Sequence, residues 1–267
     1  MSKQYEKETI CIQSGWKPKN GEARVLPIYQ STTFKYDSSE QMGRLFDLEE
    51  SGFFYTRLQN PTNEYVASKI CELEGGVAAM LTSSGQAATY YAVFNICEAG
   101  DHVVLSSTVY GGTFNLLTCT MKKMGIECTV VDPNADEEEL HKAFRENTKC
   151  VFAETIANPA LVVLDIEKFA RLAHAHQVPL IVDIRLLRRS TVTPFNGVPI
   201  SLPIQRPSIW MDMPCLWAAV SLIPATLTGP DIRRNFRGFA HRMNLIMESP
   251  IRKNSVRQLI LPKLQAS

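Results

Sequence analysis

Four short groups of residues in the first two-thirds of the chain carry chemistry that a fold would have to bring together. Ser83-Ser84-Gly85-Gln86 follows an apolar run and opens a helix-like segment. Small residues there let backbone N–H groups approach an anion, and the start of a helix favours negative charge, so a phosphate is a natural guest. Taken alone, the same residues also read as an ordinary helix cap. Tyr110-Gly111-Gly112-Thr113 comes just after another apolar run. An aromatic ring in that place can stack on a flat cofactor, although alone it is equally a turn tyrosine. In Glu154-Thr155-Ile156-Ala157-Asn158-Pro159, the Asn158 amide can donate to a ring oxygen. Asp183 closes a further apolar run. A carboxylate there can keep a pyridine nitrogen protonated and make its ring an electron sink, or it can be a plain cap or turn residue.

The surrounding pattern supplies elements to position these groups. Strands are predicted at Val77 to Leu81, His102 to Leu105, Glu127 to Val131, Cys150 to Ala153 and Pro179 to Val182. Helices are predicted between them at Gln86 to Cys97, Thr113 to Met124, Asp136 to Phe144 and Ile166 to His176. Repeated β-α-β units imply a mostly parallel sheet with helices on both faces. Ligands of such sheets sit at the carboxyl ends of the strands, where all four groups fall. Residues 1–60 are richer in Ser, Thr, Gly and aromatics and read as an extended arm. Residues 61–183 read as the α/β domain.

With these groups in one order, the chain resembles the Cys/Met-metabolism pyridoxal-phosphate (PLP) family. Further matching stretches are Leu26 to Phe34, Tyr55-Thr56-Arg57, Asn60-Pro61-Thr62-Asn63 and Leu73-Glu74-Gly75-Gly76. The resemblance covers residues 1–183 and is strongest to the O-acetylhomoserine sulfhydrylase branch. The methionine-lyase branch usually has Cys where Gly112 stands. The resemblance implies a PLP-dependent transferase fold of type I and PLP as cofactor. It implies that Gly85 and Gln86 bind the phosphate, that Tyr110 stacks on the ring and assists proton transfer, that Asn158 touches the ring hydroxyl and that Asp183 touches the ring nitrogen. Tyr55 and Arg57 would reach the phosphate of a neighbouring subunit's cofactor in a homodimer or homotetramer. Arginine suits that task because its fork matches phosphate oxygens. The implied reaction joins an amino acid such as O-acetylhomoserine to sulfide or a thiol, giving homocysteine or methionine. Cystathionine γ-synthase or lyase chemistry is the alternative within the family.

One expected residue is missing. The family's Schiff-base lysine follows the Asp183 strand, in a pattern like His-Ser-Thr-Thr-Lys-Tyr-Met-Asp-Gly-His. At that place this chain reads Pro203-Ile204-Gln205-Arg206-Pro207-Ser208-Ile209-Trp210-Met211-Asp212-Met213. Codons for the family pattern preceded by Thr can be chosen so that reading them one base later gives these eleven residues. The lysine codon then straddles Pro207 and Ser208. The same displacement accounts for Gly197 to Leu202 upstream and Met213 to Val220 downstream. We therefore read residues from about Ile184 to Ser267 as translated out of frame, with the sheet truncated after the Asp183 strand and turnover lost. Lys253 and Lys263 belong to that tail.

Composition agrees. Residues 1–183 hold 16 Lys+Arg and 24 Asp+Glu, a net of 16 − 24 = −8, whereas 184–267 hold 12 and 3, a net of +9. Arginine outnumbers lysine 10 to 2 in the tail, which also carries nine of the 15 prolines. A basic tail raises nucleic-acid binding as an alternative, but its arginines are single or paired and lack interleaved aromatics. A non-catalytic PLP-binding remnant, or a subunit partner of intact copies, is a third reading. The seven cysteines are scattered without a C-x-x-C pair, which argues against a zinc ribbon or disulfide framework. No apolar run is long enough for a membrane span, and the start of the chain is charged, so a cytoplasmic location without metal or membrane partner is expected.

Overall fold

A computed structural model describes residues 5–47, 49–74, 78–184, 200–205 and 216–220. The chain divides into two compact units, one ending at Leu73 and the other beginning at Glu74.

The N-terminal unit is less extended than its composition suggests. It contains α1 (Lys7–Gln13), α2 (Ser39–Phe46) and α3 (Pro61–Glu74). Ser38 caps α2 by accepting the Gln41 N–H at 3.2 Å, while the Gln41 side chain accepts the Asp37 N–H at 2.7 Å. α3 begins with proline in its first turn, where a missing N–H costs nothing. Asn60 Oδ1 receives the Thr62 N–H, and Asn60 Nδ2 donates to the Tyr29 carbonyl at 3.1 Å. Thr62 Oγ1 accepts the Tyr29 N–H at 2.9 Å. The stretches around Tyr29, Tyr55 and Asn60 are therefore one interlaced structure, with α3 joined to it.

The second unit holds a seven-stranded sheet in the order β1-β7-β6-β5-β4-β2-β3. Its strands are β1 (Ala78–Thr82), β2 (His102–Ser106), β3 (Glu127–Val131), β4 (Thr148–Glu154), β5 (Leu180–Asp183), β6 (Ile200–Gln205) and β7 (Leu216–Val220). β3, β2, β4, β5 and β6 are parallel, and β7 runs antiparallel to both β6 and β1. α4 (Gly85–Phe94), α5 (Gly111–Asn115), α6 (Glu137–Lys142) and α7 (Ile166–Ala175) are the intervening helices. β5 is buried along its whole length, as a continuous apolar run between two helical layers must be. Val103, Leu105, Cys150, Phe152 and Ile181 pack with Val93, Leu117 and Met121. The alternate residues Val104, Val151, Leu180 and Val182 are buried on the other face, and α7 packs along β4 and β5.

The sheet does not stop at the Asp183 strand. β5 pairs with β6 through Leu180 with Ile200 and Ile181 with Ser201, and β6 then pairs with β7 from Leu202 onward. Pro203 lies beyond the stretch paired to β5, so its missing N–H interrupts no ladder on that side. The apolar alternation of Ile200, Leu202 and Ile204 is only three residues long and carries that proline, which hides the strand in a sequence reading.

The helix expected from Thr113 to Met124 is broken into three pieces. α5 passes into a π turn, Leu116–Thr120, and a 3₁₀ turn, Met121–Met124. Thr118 Oγ1 donates to the Phe114 carbonyl at 2.7 Å, a back-bond that competes with the regular ladder. Gly125, at φ +81°, ends the segment.

Candidate active site

The parallel strands direct β1, β2, β4 and β5 so that their carboxyl ends share one edge. The four sequence-predicted groups follow those ends: Gly85 and Gln86 after β1, Tyr110 after β2, Asn158 after β4, and Asp183 as the last residue of β5.

At the end of β1, Ser84 caps α4 by accepting the Ala87 N–H at 3.2 Å. Thr82 Oγ1 donates to the Ser84 carbonyl at 3.1 Å and pins the turn. Among the described residues, nothing accepts the N–H groups of Gly85 and Gln86. They are the first two of a ten-residue helix, aimed along its positive end.

At the end of β2, Tyr110 is the residue preceding α5, with its side chain 38% exposed. Its backbone N–H donates to Glu154 Oε2 at 2.7 Å. Gly112 joins this turn to α4. A Cβ placed on Gly112 would stand 2.7 Å from Cε1 of the Tyr110 ring and would also collide with the Gln86 amide nitrogen. The Tyr110 ring and the Gln86 side chain therefore converge on one glycine.

At the ends of β4 and β5, Glu154 and Asp183 are registered partners, and both are almost fully buried. Glu154 alternates with Phe152 and Cys150, and Asp183 with Ile181, so both carboxylates rise from the face that carries the α4 and α5 side of the core. Thr155 extends the pairing, donating its N–H at 2.9 Å and its hydroxyl at 3.2 Å to the Asp183 carbonyl. Asn158 is exposed on the following hairpin-like loop. An Ile156–Val163 bridge and Ala157 N–H donation to the Val162 carbonyl at 2.9 Å hold that loop.

Tyr55 and Arg57 lie in the N-terminal unit. Tyr55 bridges Thr33, and the exposed Arg57 guanidinium rests over the Tyr55 ring at 4.9 Å.

These features fit PLP in all parts but one. Two N–H groups at a helix start suit its phosphate, an exposed aromatic its ring face, and a buried carboxylate its ring nitrogen. The expected lysine amine is not among the described residues. No lysine lies between Lys168 and Lys253 in the sequence. Lys168 Nζ is committed to the carbonyls of Pro133 and Ala135, past the end of β3. Lys149 stands at the opposite edge of the sheet, 3.8 Å from Asp101. Residues 206–213, where the lysine is expected, and Lys253 and Lys263 lie outside the described residues.

The described cysteines offer no substitute nucleophile at this edge. Burial pushes the Cys128 thiol up to about 12, and a hydrogen bond with Cys97 together with burial holds Cys150 far above its ordinary value. Among the described residues no three His, Cys, Asp or Glu side chains converge as metal ligands would. No described helix is long and apolar enough to cross a membrane.

Glu154 heads the third motif without a role in the sequence reading, and the structure buries it against the Tyr110 N–H. The available signal was a single acidic residue closing an otherwise apolar buried strand, which demands a partner.

The sequence profile of a family described as "Cys/Met metabolism PLP-dependent enzyme" matches residues 8–203, twenty residues past Asp183. The O-acetyl-L-homoserine sulfhydrylase of Corynebacterium glutamicum is 45% identical over 194 residues, 72% of this chain and 44% of the relative. That of Leptospira meyeri is 42% identical over 184 residues, 68% and 41%. An L-methionine gamma-lyase of Fusobacterium nucleatum subsp. polymorphum is 40% identical over 201 residues, 75% and 50%. The chain thus spans half or less of the length of these relatives. Among solved structures, an O-acetylhomoserine (thiol)-lyase from Campylobacter jejuni, carrying a pyridoxyl-lysine phosphate, superposes with a TM-score of 0.78 at 27% identity. That superposition covers 88% of this chain and 57% of the other.

Proposed function

The chain belongs to the Cys/Met metabolism PLP-dependent enzyme family, and from that premise we propose that its strand-end edge binds PLP without a covalent tether. The parent chemistry is that of an O-acetylhomoserine sulfhydrylase. The observation that carries this reading is the convergence of Gln86 and Tyr110 on Gly112, because it puts the phosphate-binding turn beside the ring-stacking residue.

Each residue has a task in this reading. Gly85 and Gln86 donate backbone N–H groups to the phosphate, and the α4 dipole favours the negative charge. Asp183, buried at the end of β5, holds a proton on the ring nitrogen. Tyr110 covers one ring face and is placed to move a proton on the amino-acid side. Asn158 donates to the ring hydroxyl. PLP, when bound, supplies electron withdrawal from the amino-acid carbon so that acetate can leave O-acetylhomoserine and sulfide or a thiol can add. One feature supports the sulfhydrylase branch over a lyase, Gly112 in place of the cysteine usual in methionine lyases; the identities themselves do not separate the branches, at 42% and 45% to two sulfhydrylases and 43% to a methionine gamma-lyase. A cytoplasmic location and a family-type homodimer or homotetramer belong to the same proposal.

Loss of turnover rests on the absent lysine. Without an amine at the strand ends, the amino acid has no internal partner to displace, and much of the proton traffic has no carrier. The experiment is direct. Purified chain is mixed with PLP and followed by absorbance, then treated with borohydride and analysed by mass. Binding with the spectrum of free aldehyde, and no mass added by borohydride, is expected. A lysine-linked pyridoxyl group would overturn the proposal.

A second reading has its own observation. On the N-terminal unit the Arg57 guanidinium rests over the Tyr55 ring, and these are the two residues that the family resemblance assigns to a neighbouring subunit's phosphate. The chain would then complete the site of an intact family member. Co-purification with such a subunit, abolished by Arg57→Ala, supports this role, and persistent monomers in its presence remove it.

A further inference from the structure

We infer that Glu154 is a positioning residue for the cofactor site: it fixes the Tyr110 ring by accepting that residue's backbone N–H. The inference deepens the proposed PLP site and rests on it.

Tyr110 stands in the turn that follows β2. It precedes α5 without a side-chain cap, and its own N–H lies outside the helix ladder. Glu154 Oε2 meets that N–H at 2.7 Å, a short distance typical of charge-assisted bonds. The donor and acceptor come from segments 44 residues apart, so this bond ties the turn after β2 to the end of β4. On the other side of the residue, the ring is backed by the α-carbon of Gly112. Tyr110 is thus held at its N–H and flanked along its ring. The ring remains 38% exposed, while Glu154 is 2% exposed. In this reading Glu154 acts through Tyr110, the residue whose N–H it accepts.

A carboxylate is suited to this task. Its Oε2 is an acceptor held by burial at the end of β4, in reach of the Tyr110 N–H. Glutamine keeps one acceptor oxygen and is the conservative replacement. Alanine removes the acceptor and leaves the Tyr110 N–H without a partner.

The test is a double-mutant cycle on the full chain, read by PLP affinity from ligand absorbance or protein fluorescence. Glu154→Ala is expected to weaken PLP binding about tenfold, and Glu154→Gln no more than about threefold. In a Tyr110→Ala background the same Glu154→Ala change is expected to cost nothing further, because the ring it positions is gone. Additive losses would overturn the inference, since Glu154 would then act independently of Tyr110. Hydrogen exchange at the Tyr110 amide provides a readout that needs no cofactor. Protection is expected to fall in Glu154→Ala and persist in Glu154→Gln, and unchanged protection in Glu154→Ala refutes the role. If the unaltered chain fails to bind PLP while the amide behaves as expected, the proposed function falls and the Glu154–Tyr110 link stands.

Discussion

Gly112 sits where any side chain would meet the Tyr110 ring on one side and the Gln86 amide on the other. The amide is the end of a flexible chain and can swing aside, but the ring is backed into a turn. Gly112→Ala is therefore expected to displace the ring and weaken PLP binding by about fivefold, the effect of roughly 1 kcal/mol of overpacking. Titration with PLP measures it, and an unchanged thermal midpoint would show that the effect is local. Asp183→Asn removes the charge that favours a protonated ring nitrogen. It is expected to shift the absorbance of bound PLP toward the unprotonated pyridine form, and an unaltered spectrum would take Asp183 out of its assigned role. The strand-end positions of Tyr110, Asn158 and Asp183 were readable from sequence because each follows an apolar run. Glu154 was not, because its importance lies in a bond across 44 residues that no local spacing records.

At the scale of elements, the crossing points between strands decide what the sheet tolerates. His102 begins β2 and is fully buried, with Nδ1 2.8 Å from Thr148 Oγ1 and Nε2 2.8 Å from Thr129 Oγ1. It thereby ties β2 to β4 and β3. Burial, and to a lesser extent the Arg145 charge, lower its pKa from 6.5 to about 4. The unfolded chain then binds a proton that the folded chain refuses, so stability is intact above pH 6.5 and falls as pH drops from 6.5 toward 4. The loss is about 3 kcal/mol at most. Urea unfolding across that range measures it, and a His102→Gln variant is expected to show a flatter pH dependence. β2, β4 and β5 were legible because each holds a continuous apolar run. The helix after Tyr110 was legible in extent but not in kind, since the Thr118 back-bond that breaks it is a side-chain event. β6 escaped because Pro203 disguises a strand whose second neighbour begins only after the first has ended.

Across the whole molecule, two signals divide the chain near the same place. Net charge changes sign after Asp183, and the family profile ends at residue 203, just before the stretch where the lysine is expected. Reading the gene one base displaced from about codon 184 is expected to restore a His-Ser-Thr-Thr-Lys segment. Protein made in that frame is expected to hold PLP covalently and to turn over O-acetylhomoserine with sulfide. A gene without those codons in any frame would sink this account.

The antiparallel strand β7 has a consequence for how the site is assembled. β1 leads into the turn proposed to bind phosphate, yet among the described residues its neighbour in the sheet is β7, and β7 reaches the remaining strands through β6. The two halves of the proposed cradle are thus spliced by β6 and β7, which the ribosome makes after both. A nascent chain released before that splice would own a stacking ring and a carboxylate but no fixed seat for phosphate. Cofactor affinity in a series of progressively shortened chains is therefore a gauge of whether the foreign-looking tail has docked.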